Sequence, residues 1–548
     1  MTMLSYTSGP STEPLLGETI GDNLDRTVAA HGDRTCLVSV HEGVRLTYDE
    51  FAALVERCAR GLLHLGIEPG ARVGIWAPNR HEWTVLQYAT AKVGAILVNI
   101  NPAYRTHEVA YVLEQARCRV LVAASNFGAS DYVAMVREVR PKLPGLEVVA
   151  FLDSDDGDLT WTALLDGGDG VEPSLVAERQ RTLQFDDPIN IQYTSGTTGF
   201  PKGATLSHHN ILNNAFVVTG IQRLQPGDAL CVPVPLYHCF GMVMGNLGCT
   251  TRGATIVYPA PAFEPGATLR AVEAERCVSL YGVPTMFIAM LDDPAFDSVD
   301  LSSLRTGVMA GSPCPIEVMK RCVADMHMPE VTICYGMTET SPVSFQSRTD
   351  DDLDRRVSTV GQVHPWVECK VVDPDDGRIV AVGTPGELCT RGYSVMLGYW
   401  DDPAASAEAI DAAGWMHTGD LATMDEAGYV NIVGRSKDMI IRGGENISPR
   451  EIEEFLYGHP AIADVQVIGV PDDRYGEELC AWVRLHAGAA LSIEDLRAYC
   501  AGKIAHYKVP RYLRVADEFP MTVTGKVRKV EMREVSTSEL GLAAAPTA

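Results

Sequence analysis

Tyr193-Thr194-Ser195-Gly196-Thr197-Thr198-Gly199-Phe200-Pro201-Lys202-Gly203 is the stretch on which the fold and its chemistry turn. It follows an apolar run, Ile189 to Tyr193, that reads as a strand. It precedes a helix expected to begin near Ser207, with Ile211, Leu212, Ala215 and Phe216 along one face. Its glycines let the backbone approach a ligand closely and turn N–H groups inward. Its hydroxyls and the Lys202 ammonium add donors, so the string has the chemistry to hold a polyphosphate. The familiar alternatives fail on spacing. Walker A needs G-x4-G-K-[ST], whereas Lys202 lies between Pro201 and Gly203. Neither a G-x-G-x-x-G dinucleotide fingerprint nor a G-x-S-x-G nucleophile elbow occurs.

Outward from this loop, short apolar runs alternate with helical patterns. Val73–Trp76, Arg119–Val122, Val148–Leu152 and Val331–Tyr335 are further candidate strands. The alternation predicts α/β layers built on parallel sheet, and no fixed-period repeat points to a solenoid. The C-terminal part reads differently. Ser448-Pro449-Arg450-Glu451 has the pattern of a capping box with proline at the first helical position. Ile452, Phe455 and Leu456 continue it as an apolar stripe. Val465–Val470, Cys480–Leu485 and Tyr512–Val515 read as strands, Ser492 as a helix start, and the residues after Arg533 as a frayed end. A boundary falls near Gly434–Asp438.

The chain has 548 residues, room for about 3 to 4 domain-sized units. Hydrophobic residues make up 46%, which excludes global disorder. The 45 Lys and Arg against 71 Asp and Glu give a formal charge of −26, which argues against sequence-independent nucleic-acid binding. It leaves small anions open, because one pocket can be locally positive. The 14 cysteines form no C-x-x-C pair or tight cluster and suit a reducing compartment. With no basic n-region, no apolar run approaching about 18 residues and no lipidation signal, the sequence reads as a cytoplasmic protein without integral membrane association. A homodimer is compatible with it.

Several motifs occur in an order that resembles the adenylate-forming superfamily of acyl-CoA synthetases, adenylation domains and luciferases, nearest its medium-chain fatty acyl-CoA synthetases. The resemblance spans roughly residues 20–535. It implies a large multi-lobed N-terminal domain, 1–436, with two α/β lobes and a β-barrel-like lobe, and a small mobile α+β domain, 437–548. It implies that Thr194 to Lys202 (Thr194, Ser195, Gly196, Thr197, Thr198, Gly199, Phe200, Pro201, Lys202) hold ATP phosphates. Pro235-Leu236-Tyr237-His238 resembles the segment whose histidine lies beside the substrate carboxylate. Gly311 and Ser312, with Tyr335-Gly336-Met337-Thr338-Glu339-Thr340, resemble the adenine pocket. There the Tyr335 ring would lie against the base, Thr338 would touch phosphate and Glu339 would bind Mg2+, a cation that takes oxygen ligands.

Gly414-Trp415-Met416-His417-Thr418-Gly419-Asp420 resembles the fatty-acyl signature, with Asp420 placed for the ribose hydroxyls and Arg435 as a second ribose or phosphate contact. Relatives often carry Asp before the Gly-Trp pair and before this Arg, where this chain has Ala413 and Gly434. Lys437 matches the hinge, Gly443 and Gly444 the passage for a pantetheine arm, and Lys526 the catalytic lysine. The apolar run Phe240, Met242, Val243, Gly245 and Leu247 reads as core or tunnel wall, with Gly245 leaving room for a chain.

The implied reaction has two steps. A carboxylate is a poor acyl donor, so the acid attacks the α-phosphate of ATP and gives acyl-AMP and pyrophosphate. Positioned cations and N–H donors stabilise the charge that builds on phosphate oxygens. The C-terminal domain then turns about its hinge, and the CoA thiol takes the acyl group. The expected substrates are a fatty acid, ATP and CoA. The alternative is transfer to an amine or a carrier protein.

Overall fold

The computed structural model describes residues 3–542 except 195–200, 313, 436–437, 443–444, 473, 502 and 523–526, and it leaves out the side chains of 435, 445 and 446. Two large sheets carry the first part of the chain. One has eight strands in the order Leu159–Thr160, Val148–Phe151, Cys118–Ala123, Arg72–Trp76, Ile96–Asn99, Pro188–Thr194, Lys202–Ser207, Gly398–Tyr399. Its first six strands are parallel and its last two pairings antiparallel. The other has nine, with a parallel centre running through Glu330–Tyr335, Thr306–Ala310, Ser279–Gly282, Ala229–Cys231, Thr255–Tyr258 and Thr35–Ser39.

Parallel strands covered on both faces need apolar residues throughout. Val73, Ile75 and Trp76 meet that need by being fully buried. The helix His81–Val93 is buried from Glu82 to Val93, as a helix inside a core must be. It touches strands of both sheets.

A third, antiparallel sheet joins Tyr6–Ser8, Val367–Val372, Gly386–Gly392, Met416–Met424 and Val430–Arg435. This open sheet is the barrel-like lobe of the sequence reading. The fourth sheet contains Glu445–Ile447, Ile440–Arg442, Gly476–Leu485 and Ile462–Asp472, with Tyr512–Val515 parallel to Gly476–Leu485. The largest hydrophobic cluster runs from Ile20 to Val430, and separate clusters take up Ile440–Cys500 and Ile468–Met532. The chain thus has a large α/β N-terminal domain and a small C-terminal one. Among the described residues, no helix is long and apolar enough to cross a membrane.

Two local expectations are corrected. The helix Pro449–Tyr457 forms, but its N-cap Ser448 makes no side-chain cap. The Ser448 hydroxyl instead donates to the Val433 carbonyl, and Arg450 donates to the Ile432 carbonyl at 2.7 Å. The first residues after Arg533 are not frayed: a helix covers Lys529–Glu539, with Met532 fully buried, while residues 543–548 lie outside the described residues. Lys529 anchors its start on Glu453 at 2.6 Å. The helix expected to begin near Ser207 does so, as His208–Ile221, and the strand Lys202–Ser207 lies between it and the glycine-rich loop. Ser207 does cap that helix, accepting the Asn210 N–H at 3.1 Å.

His208, the first residue of that helix, is fully buried, and its Nδ1 accepts the Ile20 N–H at 3.1 Å. Burial pushes its pKa down to about 3. The ordinary value in the unfolded chain is about 6.5, so on acidification the unfolded state takes up the proton first. The stability that neutral His208 gives is full above the unfolded value and drains as pH falls from about 6.5 towards the folded value. His208→Asn keeps an acceptor for the Ile20 N–H and removes this titration. Its melting temperature should fall less steeply over that acid range than that of the parent, in melts followed by circular dichroism.

Candidate functional site

The strand Pro188–Thr194 and the strand Lys202–Ser207 form a hairpin, with Thr194 and Lys202 paired across its neck. Ser195 to Phe200, between them, lie outside the described residues. The neck is fixed from two sides. The Tyr193 hydroxyl donates to the Gln115 side chain, and the Tyr111 hydroxyl donates to the Pro201 carbonyl at 3.2 Å. Lys202 extends its ammonium over the Tyr399 ring, 5.1 Å from the centroid.

Glu339 faces this neck. It lies in the short turn Thr338–Thr340 and is 5% exposed, beside Thr338 at 8%. Its Oε1 accepts the Tyr399 hydroxyl at 2.9 Å and lies 3.4 Å from the Thr194 hydroxyl. Its backbone carbonyl accepts the Met396 N–H at 2.9 Å. Burial, then the adjacent Glu339 carboxylate, pushes the Tyr399 phenol far up, so it remains a proton donor. Among the described residues no ammonium or guanidinium pairs with Glu339. A buried carboxylate with hydroxyl partners alone is short of positive charge. Its oxygen chemistry suits a hard divalent cation.

Parallel strands bring the next residues together. Ala310 pairs with Cys334, so the C-terminal ends of Thr306–Ala310 and Glu330–Tyr335 lie side by side. Gly311 and Ser312 leave one end, Tyr335 and Gly336 the other. Open α/β sheets bind ligands at such carboxyl ends. Gly336 is required there, because a Cβ would stand 1.9 Å from the Pro342 carbonyl oxygen. The Tyr335 hydroxyl donates to Asp420 Oδ2 at 2.6 Å. Asp420 comes from the third sheet, in Met416–Met424, with its N–H on the Thr418 hydroxyl at 3.1 Å. It sits opposite Arg435 in the ladder to Val430–Arg435.

His238 occupies a separate segment. Asn79 clamps the approach to it, accepting the Leu236 N–H at 2.8 Å and donating to the Val234 carbonyl at 2.9 Å. Asn99, at the end of the strand next to Pro188–Thr194, donates to the Tyr237 carbonyl at 3.1 Å. His238 Nδ1 accepts the Phe240 N–H at 3.2 Å. Phe240–Leu247 is a buried π-helix, a form that concentrates at functional sites. Gln87 donates to the Met242 carbonyl at 3.1 Å, and Asn246 donates to Gln87 at 2.9 Å and accepts the Tyr258 hydroxyl at 2.6 Å. Gly245 does not open space for a chain: a Cβ there would meet Val232 at 3.0 Å.

The structure thus brings together Thr194, Lys202 and Glu339, and separately Tyr335 and Asp420. Pro201 and Thr338 flank the first group, and Gly311 and Ser312 the second. Lys437, Gly443, Gly444, Lys526 and the Arg435 side chain lie outside the described residues. Sequence reading missed Tyr399, Tyr111, Asn79 and Gln87. Each lies far along the chain from the group it holds, with no local motif to mark it.

The AMP-binding enzyme family matches residues 24–400, and its C-terminal domain matches residues 451–526. A medium-chain acyl-CoA ligase, ACSF2, mitochondrial, of Danio rerio is 45% identical over 98% of this chain and 91% of that protein. A putative acyl-CoA synthetase, YngI, of Bacillus subtilis is 46% identical over 95% of this chain and 97% of its own. Among solved structures, the anthranilate CoA ligase AuaEII in complex with anthranoyl-AMP superposes with a TM-score of 0.84 at 26% identity, covering 97% of this chain and 99% of that one. The amide bond synthetase McbA from Marinactinospora thermotolerans superposes with a TM-score of 0.79 at 25% identity, covering 94% and 99%.

Proposed function

The chain belongs to the AMP-binding enzyme family and is an ATP-dependent acid–CoA ligase, and from that premise we propose a medium-chain fatty acid as its acyl substrate. It activates a carboxylic acid as acyl-AMP with release of pyrophosphate, then passes the acyl group to the CoA thiol. The observation that carries the site reading is the convergence of Thr194 and Tyr399 on the buried Glu339, with the Lys202 ammonium over the Tyr399 ring.

In the proposed roles, Lys202 and the 194–202 loop hold the ATP phosphates. Asp420 accepts the ribose hydroxyls beside Tyr335, and Arg435 adds a second contact. His238 orients the acid; it abstracts no proton, because the carboxylate nucleophile is already ionised. Glu339 would hold Mg2+, which when bound neutralises phosphate charge as the leaving pyrophosphate forms. Lys526 reaches carboxylate and phosphate oxygens as a point charge. The C-terminal domain from residue 437 turns about Lys437 and brings Gly443 and Gly444 to the pantetheine path. A cytoplasmic setting is supported by the 14 cysteines, all buried free thiols.

Tyr399 acts through Glu339. Tyr399→Phe should raise the Mg2+ concentration needed for half-maximal pyrophosphate release by about 10- to 100-fold, the usual cost of losing a partner that orients a ligand. Mg2+ titrations of the two proteins at saturating ATP check it.

The substrate reading is tested by pyrophosphate release across straight-chain acids of increasing length, with aryl acids included and thioester formation measured in parallel. A maximum at medium length with CoA-dependent thioester supports it. A preference for aryl acids would overturn the acyl assignment. Acyl-AMP formed from many acids without thioester from any would transfer the chain to the amine- or carrier-acylating reading, with which the likeness to McbA is compatible.

A further inference from the structure

The geometry points to a second cation site, built for Zn2+ and separate from the phosphate-binding chemistry, on Glu387, Cys389 and His417. Glu387 and Cys389 are two residues apart on Gly386–Gly392, and so share one face of the third sheet. Cys389 stands directly opposite His417 of Met416–Met424, next to a ladder irregularity between Glu387 and Cys389. Such irregularities re-aim side chains. His417 Nδ1 lies 2.9 Å from Glu387 Oε2 and 3.6 Å from Cys389 Sγ, and the three ligand atoms all fall within 4.8 Å of one another.

Tetrahedral Zn2+ with the usual bond lengths sets sulfur and nitrogen about 3.6 Å apart, and nitrogen and oxygen about 3.3 Å apart. The sulfur–nitrogen spacing already matches. The histidine–carboxylate pair needs only a small opening, and water completes the fourth position.

The surroundings are those of a ligand set. With Nδ1 turned to the ion, His417 presents Nε2–H to Asp411 Oδ2, 3.8 Å away. Asp411 is fixed for that task, since its Oδ1 accepts the N–H groups of Ala413 at 2.8 Å and Trp415 at 2.9 Å. A carboxylate behind the far nitrogen is the common support of a metal-bound histidine. Glu387 is likewise oriented by the Gly419 N–H on Oε1 at 3.2 Å. Val372, Trp415 and Ile379 pack around the buried sulfur, while the Glu387 and His417 side chains, 21% and 34% exposed, leave an entry from solvent.

The sulfur ligand selects a borderline-soft cation and disfavours Mg2+. The other comparable group among the described residues, Glu42, His81 and Glu82, offers no sulfur. Its place for a cation is already taken by Arg80, 2.7 Å from Glu82 and 3.7 Å from Glu42. Since His417 lies three residues before Asp420 on one strand, an ion here would stiffen the strap that carries the proposed ribose contact.

The test titrates the full-length enzyme, free of nucleotide, with Zn2+ by calorimetry and with Co2+ by absorption. One Zn2+ per chain and a near-ultraviolet thiolate-to-cobalt band are expected. All 14 cysteines are buried, and among the described residues Cys389 is the thiol that meets a histidine and a carboxylate, so the band reports on it. Cys389→Ser should abolish the band, and Cys389→Ser and His417→Gln should each weaken Zn2+ binding beyond about 100-fold. Asp411→Asn should keep the band and cost about 10- to 100-fold, the range for a residue that orients a ligand. Melting curves confirm that each variant is folded. No Zn2+ binding by the parent, or binding and a band that survive Cys389→Ser and His417→Gln, overturns the proposal. The trio would then be an ion pair beside a core cysteine.

Discussion

Lys526→Ala should abolish acyl-AMP formation and spare CoA transfer from pre-made acyl-AMP. The proposed mechanism uses the Lys526 ammonium only while carboxylate oxygen attacks phosphorus. Negative charge then spreads over carboxylate and phosphate oxygens, and a fixed cation lowers that barrier without reorganising. Loss of one such contact costs on the order of 10²–10³ in rate. Thioester formation has a different need, since the thiol must reach the acyl carbon and Lys526 has by then moved away. Pyrophosphate exchange measures the first half-reaction, and thioester yield from synthetic acyl-AMP measures the second. A fall of at least about 100-fold in the first, with the second within a few-fold of the parent, is the expected split. Equal loss of both would contradict the role.

Glu339→Gln is expected to have an effect of comparable size by a different route. Gln is nearly isosteric and keeps an oxygen for the Tyr399 hydroxyl, now 2.9 Å from Glu339, so packing is preserved. What disappears is a buried negative charge that a divalent cation would neutralise. Adenylate formation should drop by about 100-fold or more, with a higher Mg2+ requirement. The variant should melt close to the parent, because a buried carboxylate without a cationic partner does not stabilise the apo fold. Magnesium-dependent ATP binding, followed by calorimetry, separates this from a general loss of structure. Unchanged ATP and Mg2+ dependence would remove Glu339 from the site.

How much could be read in advance follows from how far each feature reaches along the chain. Buried parallel strands betray themselves by continuous apolar runs. Val73–Trp76 and Arg119–Val122 were therefore legible to within a residue of Arg72–Trp76 and Cys118–Ala123. The strand Lys202–Ser207 was not, because Lys-Gly-Ala-Thr-Leu-Ser has neither alternation nor β-branched density. Its conformation comes from pairing on both sides, with Pro188–Thr194 and with Gly398–Tyr399. The Lys529–Glu539 helix was hidden for the same kind of reason. Its charged surface gives a weak pattern, and its order comes from Met532 in the small-domain core and Lys529 on Glu453.

At the candidate site, Thr194, Lys202 and Glu339 come from contiguous motifs read by resemblance, and the fold sets them side by side. Tyr399 lies 60 residues from the Glu339 it holds, and only the folded chain joins them. Ser448 carried a cap signature, yet its hydroxyl donates to the Val433 carbonyl and does not cap its own helix.

The hairpin that replaces a strand-to-helix turn has an electrostatic consequence. Phosphate loops that open directly into a helix borrow its macrodipole, about half a unit charge at the N-terminus. Here the six-residue strand Lys202–Ser207, about 20 Å of extended chain, separates the loop from the helix that starts at His208. The macrodipole effect falls off within about one helical turn, so a helix end at that distance contributes little to phosphates held by the loop. On a chain of net charge −26, the attraction for a polyanion would then come from the loop's N–H groups, from discrete ammonium and guanidinium groups and from a bound cation. On the proposed reading, the affinity for ATP would rest on the loop's own N–H groups, a bound cation and a few replaceable side chains, with no help from a helix macrodipole.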